Sequence, residues 1–134
     1  MPFKRGEIHS RERAKQLRDF SSLLYGKITP TDIDGLIEYH NKGYILIEIK
    51  LQGIPLSFGQ QLALERITDD LTRSGKPTIC IVADHDVSDP TEDIDVAKAI
   101  VRKYRVDSEW KMFQNLHTTK QAIDSFISQR LNRG

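Results

Sequence analysis

The chain has 134 residues, of which 38% are hydrophobic and 29% are charged, and its formal net charge is +1. This balance excludes a disordered chain and predicts one soluble domain over residues 1–134, and no apolar run approaches the ~18 residues that a membrane span needs. The single cysteine, Cys80, excludes an intramolecular disulfide and a cysteine-rich metal site, and the charged N-terminus is unlike a signal peptide, so we expect a cytoplasmic protein.

The first predicted element is an amphipathic helix over residues 8–25. Its apolar stripe, which Gly26 ends, consists of Ala14, Leu17, Phe20 and Leu24. Glu12 lies at an edge of this stripe, where it is either a surface residue or directed along the sheet. Residues 4–18 are strongly basic, so they form either a solvated face or a phosphate-contacting patch. The candidate nucleic-acid-binding residues are Lys4, Arg5, Arg11, Arg13 and Lys15.

A β-hairpin is predicted next, with strands at residues 31–40 and 43–52 and a turn at residues 41–43. If His40 pairs with Tyr44, Asp34 lies opposite Lys50 on the same face of the hairpin. A slip of one residue would move Asp34 to the other face. The register therefore decides whether an acid joins the charges of the second strand.

The second strand of this hairpin carries two charges in the most hydrophobic part of the chain. One face is wholly apolar and is expected to pack on a helix, whereas the other carries Glu48 and Lys50. Burying ions there costs several kcal/mol each unless partners or a metal compensate. This face is therefore either solvated or part of a functional site.

The following helix, predicted over residues 57–74, begins with Ser57 and Gln60 at capping-box spacing. Its apolar stripe is formed by Leu64, Ile67 and Leu71. Gln60 lies in the first turn of that stripe. Gln60 therefore either caps its own helix or reaches the charged strand.

The rest of the chain predicts an interior strand, an acidic turn, a hairpin and a final helix. The strand covers residues 78–83, and the acidic residues that follow are interpreted as a turn with a helix N-cap at Asp89 rather than as a metal site. Residues 94–106 fit either a helix or a strand, with a β-hairpin over 99–113 favoured around Asp107 and Ser108, and Trp110 packing within it. The last helix runs over residues 118–131 and starts with Thr118 and Gln121 at capping-box spacing.

This order of elements, with Asp34 followed by Glu48-Ile49-Lys50, resembles the PD-(D/E)xK nuclease superfamily, which includes restriction endonucleases, archaeal Holliday-junction resolvases and virus-type repair nucleases. The resemblance covers residues 8–84. The proline–aspartate pair of the superfamily is not literal, because three residues separate Pro30 from Asp34. Glu12 resembles the helix glutamate of the resolvase-like branch, and Gln60 or Gln61 resembles a helix glutamine of several branches.

The resemblance implies an α/β fold with an αβββαβ restriction-endonuclease-like core, a mixed central sheet flanked by helices, and a C-terminal extension, residues 85–134, of β-hairpin and helix. It also implies a Mg²⁺-dependent deoxyribonuclease, in which Mn²⁺ can substitute, that leaves 5′-phosphate and 3′-hydroxyl ends. The expected metal ligands are Asp34, Glu48, the Ile49 carbonyl and Glu12, and the expected catalytic residues are Asp34, Glu48, Lys50 and Gln60. Such oxygen ligands suit Mg²⁺, and Lys50 would orient or deprotonate the attacking water or stabilise the transition state.

The chain offers no room for a separate target-reading domain. This favours a structure-specific or accessory nuclease, acting in DNA repair or recombination or in a phage or mobile element. One alternative is a catalytically silent relative that binds nucleic acid or a protein partner. Another is an unrelated α/β interaction module in which Glu48 and Lys50 form a surface ion pair. A homodimer is expected only by analogy with resolvase-like nucleases.

Overall fold

The computed structural model describes residues 19–132 of the chain. The chain forms two compact units, Met1–Thr31 and Asp32–Gly134. Within the described part of the first unit, Tyr25 and Ile28 exchange main-chain hydrogen bonds of 2.8 and 3.0 Å. Gly26 permits the turn between them because its φ of 66° lies in the left-handed region.

The predicted first helix is wrong for residues 19–25, which form a short turn and irregular structure; residues 8–18 lie outside the described part. The Asp19 carboxylate accepts hydrogen bonds from the Ser21 main-chain N–H at 3.1 Å and from its hydroxyl at 2.7 Å. Such local bonds compete with helix formation. Phe20 and Leu24 are 39% and 58% exposed, so they do not form the predicted buried stripe.

The second unit has an α/β fold built on a five-stranded mixed sheet, so the predicted α/β class is confirmed. Strands β2 and β3 are parallel, and the other neighbours are antiparallel. Two strands lie between residues 32 and 57, where the predicted αβββαβ order has three. In order across the sheet, the strands are β1 (Gly35–Tyr39), β2 (Gly43–Leu51), β3 (Thr78–His85), β4 (Ile100–Val106) and β5 (Glu109–Lys111).

One helix covers each face of the sheet. Helix α1 (Phe58–Arg73) packs Leu64 against Leu46 and Cys80, whereas its predicted core residue Ile67 is 39% exposed. Helix α2 (Thr119–Phe126), continued by a π-helical turn (Ile127–Leu131), covers the other face. That face is apolar, as predicted, because it consists mainly of isoleucine, valine and alanine side chains of β2, β3 and β4. Among the described residues, no helix is long and apolar enough to cross a membrane.

The register of the β1–β2 hairpin differs by two residues from the prediction. Tyr39 pairs with Gly43, and Leu36 pairs with Leu46 instead of Glu48. The turn begins earlier because His40 and Asn41 adopt φ values of 48° and 60°, which asparagine tolerates better than most residues. Because side chains alternate with a period of two, this shift leaves every residue of β1 on its predicted face.

The segment predicted as an extension contributes two of the five strands and the second helix. Residues 99–113 contain the predicted hairpin, with Asp107 and Ser108 at φ values of 52° and 66° in its turn. The predicted helix N-cap at Asp89 is wrong, because Asp89 instead accepts hydrogen bonds from the N–H and hydroxyl of Thr91 in a turn. A short 3₁₀ helix, Val96–Lys98, precedes β4.

Gly43 occupies the most crowded glycine position of the described chain. A Cβ atom there would lie 2.3 Å from the carbonyl oxygen of Pro77 and 2.5 Å from a methyl group of Leu131. We therefore expect Gly43→Ala to lower the free energy of unfolding by about 2 kcal/mol or more, because the backbone must shift to admit the methyl group. Urea denaturation measures this change.

Gly59→Ala is the matched control for this substitution. Gly59 lies in α1, and an alanine methyl group there would have nothing within 4 Å, so alanine should raise the stability by about 0.5–1 kcal/mol through its higher helix propensity. Equal stabilities of Gly43→Ala and the wild type would contradict the close approach.

Candidate functional site

The site lies where β1 ends beside the middle of β2. Continuing the hairpin register by one residue brings Asp34 beside Glu48, and Asp34 Oδ2 accepts a hydrogen bond of 2.8 Å from the Ile49 N–H. The main-chain N–H groups of Tyr44 and Gln52 bond to the β3 side of β2. Main-chain groups alternate along a strand, so the N–H and the carbonyl of Ile49 both face the side of Asp34.

Glu48 is buried, with 3% of its surface exposed, so the interpretation of its strand face as solvated is wrong at this residue. Its Oε1 accepts a hydrogen bond of 2.7 Å from the Gln60 side-chain amide. Its Oε2 is also buried but has no hydrogen-bond partner among the described residues. A buried carboxylate oxygen without a donor is energetically costly, so this atom is the feature of the site that most requires an explanation.

Burial changes the acidity of Glu48. Removal from water, followed by the negative charge of Asp34, raises the pKa of the Glu48 carboxyl to about 7. The positive charge of Lys50 opposes this shift. Two carboxylates held this close cannot both ionise cheaply without a nearby cation.

Lys50 supplies one positive charge at the site. Its Nζ lies 4.0 Å from Glu48 Oε1, and 23% of its side chain is exposed. The ammonium group therefore lies at the outer limit of an ion pair with the buried carboxylate, and the lysine side chain is partly exposed to solvent. The prediction that Glu48 and Lys50 share one strand face agrees with this geometry.

Gln60 reaches the charged strand instead of closing a capping box. Ser57 caps α1 by accepting a hydrogen bond of 3.1 Å from the Gln60 main-chain N–H, while the Gln60 side chain turns to Glu48. In α2, by contrast, Thr118 and Gln121 form the complete reciprocal box. Identical spacing therefore gives a cap in one helix and a contact with Glu48 in the other.

Gln61, the alternative candidate to Gln60, points away from Glu48. Its side-chain oxygen accepts a hydrogen bond of 2.9 Å from Lys103, and its amide donates one of 3.3 Å to Glu65. Gln60 is therefore the glutamine that touches the buried acid.

Several predicted site residues fall outside the part of the chain that the structure describes. They are Glu12 and the basic residues Lys4, Arg5, Arg11, Arg13 and Lys15. Within residues 19–132 no group of three or more His, Cys, Asp or Glu side chains is arranged to hold a metal ion. The acidic groups at the site in this range are the two carboxylates of Asp34 and Glu48.

A second row of polar contacts, which the sequence patterns did not reveal, lies beside the site. Gln61, Glu65 and Asp69 follow one another at helical spacing on α1 and bind Lys103, Trp110 and Arg105, respectively. The Trp110 indole donates to Glu65 at 2.5 Å, and the Arg105 guanidinium contacts both Asp69 oxygens at 2.9 and 2.8 Å. In the sequence, the i, i+4 spacing of these three polar residues next to Leu64 is the pattern that could have indicated this row.

The arrangement combines features that suit cation-assisted chemistry on an anionic substrate. Asp34 and Glu48 present carboxylate oxygens, the Ile49 carbonyl faces the same side, and Lys50 reaches solvent beside them. Oxygen ligands are those that hard divalent cations prefer. An exposed ammonium group can stabilise negative charge that develops on a bound substrate.

Comparisons of the chain with protein-family models, with curated proteins and with solved structures found no match.

The raised pKa of Glu48 predicts a pH-dependent stability. A carboxyl whose native pKa lies above its unfolded value of 4.5 stabilises the fold below that value, and the contribution is lost as the pH rises through about 7. Between pH 5 and pH 8 in chelator, the wild type should lose about 2 kcal/mol of unfolding free energy relative to Glu48→Gln. Urea titrations of both proteins at the two pH values measure this difference.

Glu92→Gln provides the control, because Glu92 is an exposed carboxylate of the acidic turn. Its stability difference from the wild type should be nearly the same at both pH values. If the difference between the wild type and Glu48→Gln is equally independent of pH, Glu48 is not a buried acid of raised pKa.

Proposed function

We propose that the protein is a Mg²⁺-dependent nuclease that hydrolyses phosphodiester bonds of DNA. The observation that carries the proposal is the buried Glu48 carboxylate, whose Oε2 lacks a partner among the described residues beside Asp34 and Lys50. A fold that buries an acid next to a second acid gains little stability from it, which favours a functional reason for the cluster. The proposal includes the restriction-endonuclease-like arrangement of the core around β2.

The residues present fit a hard divalent cation. Asp34, Glu48 and the Ile49 carbonyl would hold it, and its charge would offset the cost of burying Glu48 Oε2. When bound, Mg²⁺ lowers the pKa of a coordinated water and polarises the phosphate. Mn²⁺ has the same ligand preference and is expected to substitute.

The side chains of the site then have separate roles. Gln60 fixes Glu48 by bonding one carboxylate oxygen, which would leave the other available to a bound cation. Lys50 approaches the phosphate from solvent and either orients the attacking water or stabilises charge on the phosphoryl oxygens. Asp34 is held by the Ile49 N–H, so its position depends on the backbone of the same strand that carries Glu48 and Lys50.

Cleavage assays test the function directly. Labelled four-way junctions, single strands and duplexes are incubated with Mg²⁺, with Mn²⁺ or with chelator, and RNA oligonucleotides serve as a comparison. The wild type should cut DNA only with metal, and Asp34→Asn, Glu48→Gln and Lys50→Met should each lower the rate by about 100-fold or more, as expected for groups that stabilise a transition state.

Two matched variants control for charge and position. Asp32→Asn removes an exposed carboxylate two residues before Asp34, and Lys42→Met removes an exposed ammonium group that precedes β2. Both should cut at wild-type rates. The proposal fails if the wild type cuts nothing, or if the site variants cut as fast as these controls, and metal-independent DNA binding without cleavage would favour the catalytically silent alternative.

Metal affinity provides a test that does not need cleavage. Free Mn²⁺ measured by electron paramagnetic resonance at pH 8 should show binding to the wild type that weakens at least about tenfold in Glu48→Gln, because a neutral amide replaces an anionic ligand. Glu92→Gln should bind Mn²⁺ as the wild type does. Equal affinities of all three proteins would exclude Glu48 as a metal ligand.

A further inference from the structure

The Arg102 guanidinium donates three hydrogen bonds beside the site, to Asp84 and to the Ile54 carbonyl. Its Nε and one terminal nitrogen donate to Asp84 Oδ1 at 2.9 and 2.5 Å, and the same terminal nitrogen donates to the Ile54 carbonyl at 2.7 Å. Each side chain of this ion pair is 24% exposed. The Ile54 carbonyl belongs to the connection between β2 and α1, so the guanidinium is held from two directions.

A β-bulge directs Arg102 to this position. Val82 pairs with Lys103, whereas Ala83 pairs with Val101, which leaves Arg102 as the extra residue of β4. Bulges re-aim side chains and are common next to active sites. If β4 paired regularly with β3, Arg102 would have a partner on β3 and would not be the extra residue of the bulge.

Asp84 is an acid on the strand next to Lys50. Lys50 and Asp84 are register partners on the parallel strands β2 and β3, so both side chains project from the same face of the sheet. Adjacent strands lie only about 4.8 Å apart, within easy reach of a lysine side chain. Nevertheless, the ion pair that the structure records for Lys50 is with Glu48, and the Asp84 carboxylate is bonded to Arg102.

We infer that Arg102 is a positioning residue that occupies Asp84 and thereby keeps the Lys50 ammonium at Glu48. Without the guanidinium, the free carboxylate of Asp84 would attract Lys50 away from the site. The effect on catalysis rests on the proposed nuclease function, whereas the effect on the pairing of Lys50 does not.

Carbon-13 NMR of the side-chain carboxyl groups, at pH 8 without metal, tests the pairing of Lys50. In the wild-type background, Lys50→Met should change the chemical shift of Glu48 Cδ and leave that of Asp84 Cγ nearly unchanged. In the Arg102→Gln background, Lys50→Met should instead change Asp84 Cγ. If Asp84 Cγ does not respond to Lys50→Met when Arg102 is replaced, the inference is overturned, whether or not the protein cuts DNA.

Cleavage kinetics test the consequence for the proposed reaction. Arg102→Gln should lower kcat by about 10-fold or more with little change in KM, and adding Asp84→Asn should restore kcat to within about threefold of the wild type, because the competing charge is gone. A double variant as slow as Arg102→Gln would show that Arg102 acts only through the fold.

Arg105→Gln is the matched control. This substitution also breaks a two-bond contact with an aspartate, Asp69 of α1. However, Arg105 lies opposite Cys80 and not beside Lys50. Its kcat should remain near that of the wild type at temperatures where it is folded, and a loss equal to that of Arg102→Gln would contradict the inference. Should Arg102→Gln not fold, Arg102→Lys keeps a positive charge beside Asp84 and should retain the pairing of Lys50 with Glu48.

Discussion

The site depends on the hydrogen bond between Gln60 and Glu48, which joins a helix to an interior strand of the sheet. It connects the first turn of α1 to the middle of β2, over an acid that is almost fully buried. One carboxylate oxygen is bonded and the other has no partner among the described residues, so the contact also fixes the orientation of the Glu48 carboxylate. The neighbouring groups, Asp34 and Lys50, are arranged around that fixed carboxylate.

The sheet explains why so many charges meet at this point. On the α2 side, β2 and β3 contribute aliphatic side chains to one apolar core, which supplies the hydrophobic stabilisation of the unit. On the α1 side, the apolar cluster is small, with Leu46, Leu64 and Cys80 at its centre, and polar contacts surround it. The fold thus separates the face that stabilises the sheet from the face that carries the candidate chemistry.

Much of the site followed from local sequence patterns, and the parts that did not depend on long-range geometry. Alternation along β2 placed Glu48 and Lys50 together, and helical periodicity placed Gln60 above them. The predicted hairpin register differed from the observed one by two residues. The glycine at position 43 suggested that the turn includes it, whereas the left-handed residues of the turn are His40 and Asn41. The bulge at Arg102 and the partners of Gln61, Glu65 and Asp69 depend on how β4 aligns with β3, and single-sequence patterns contain no such information.

The polar row on α1 has a consequence for the accuracy of the site. An apolar interface tolerates small sliding movements, whereas a hydrogen bond weakens steeply when its atoms move by a fraction of an ångström. The contact between Asp69 and Arg105 lies more than two helical turns, or about 13 Å, along α1 from Gln60. A helix is stiff over that length, and three contacts spaced along it fix its position on the sheet, so the loss of any one of them should leave Gln60, and with it Glu48, in place.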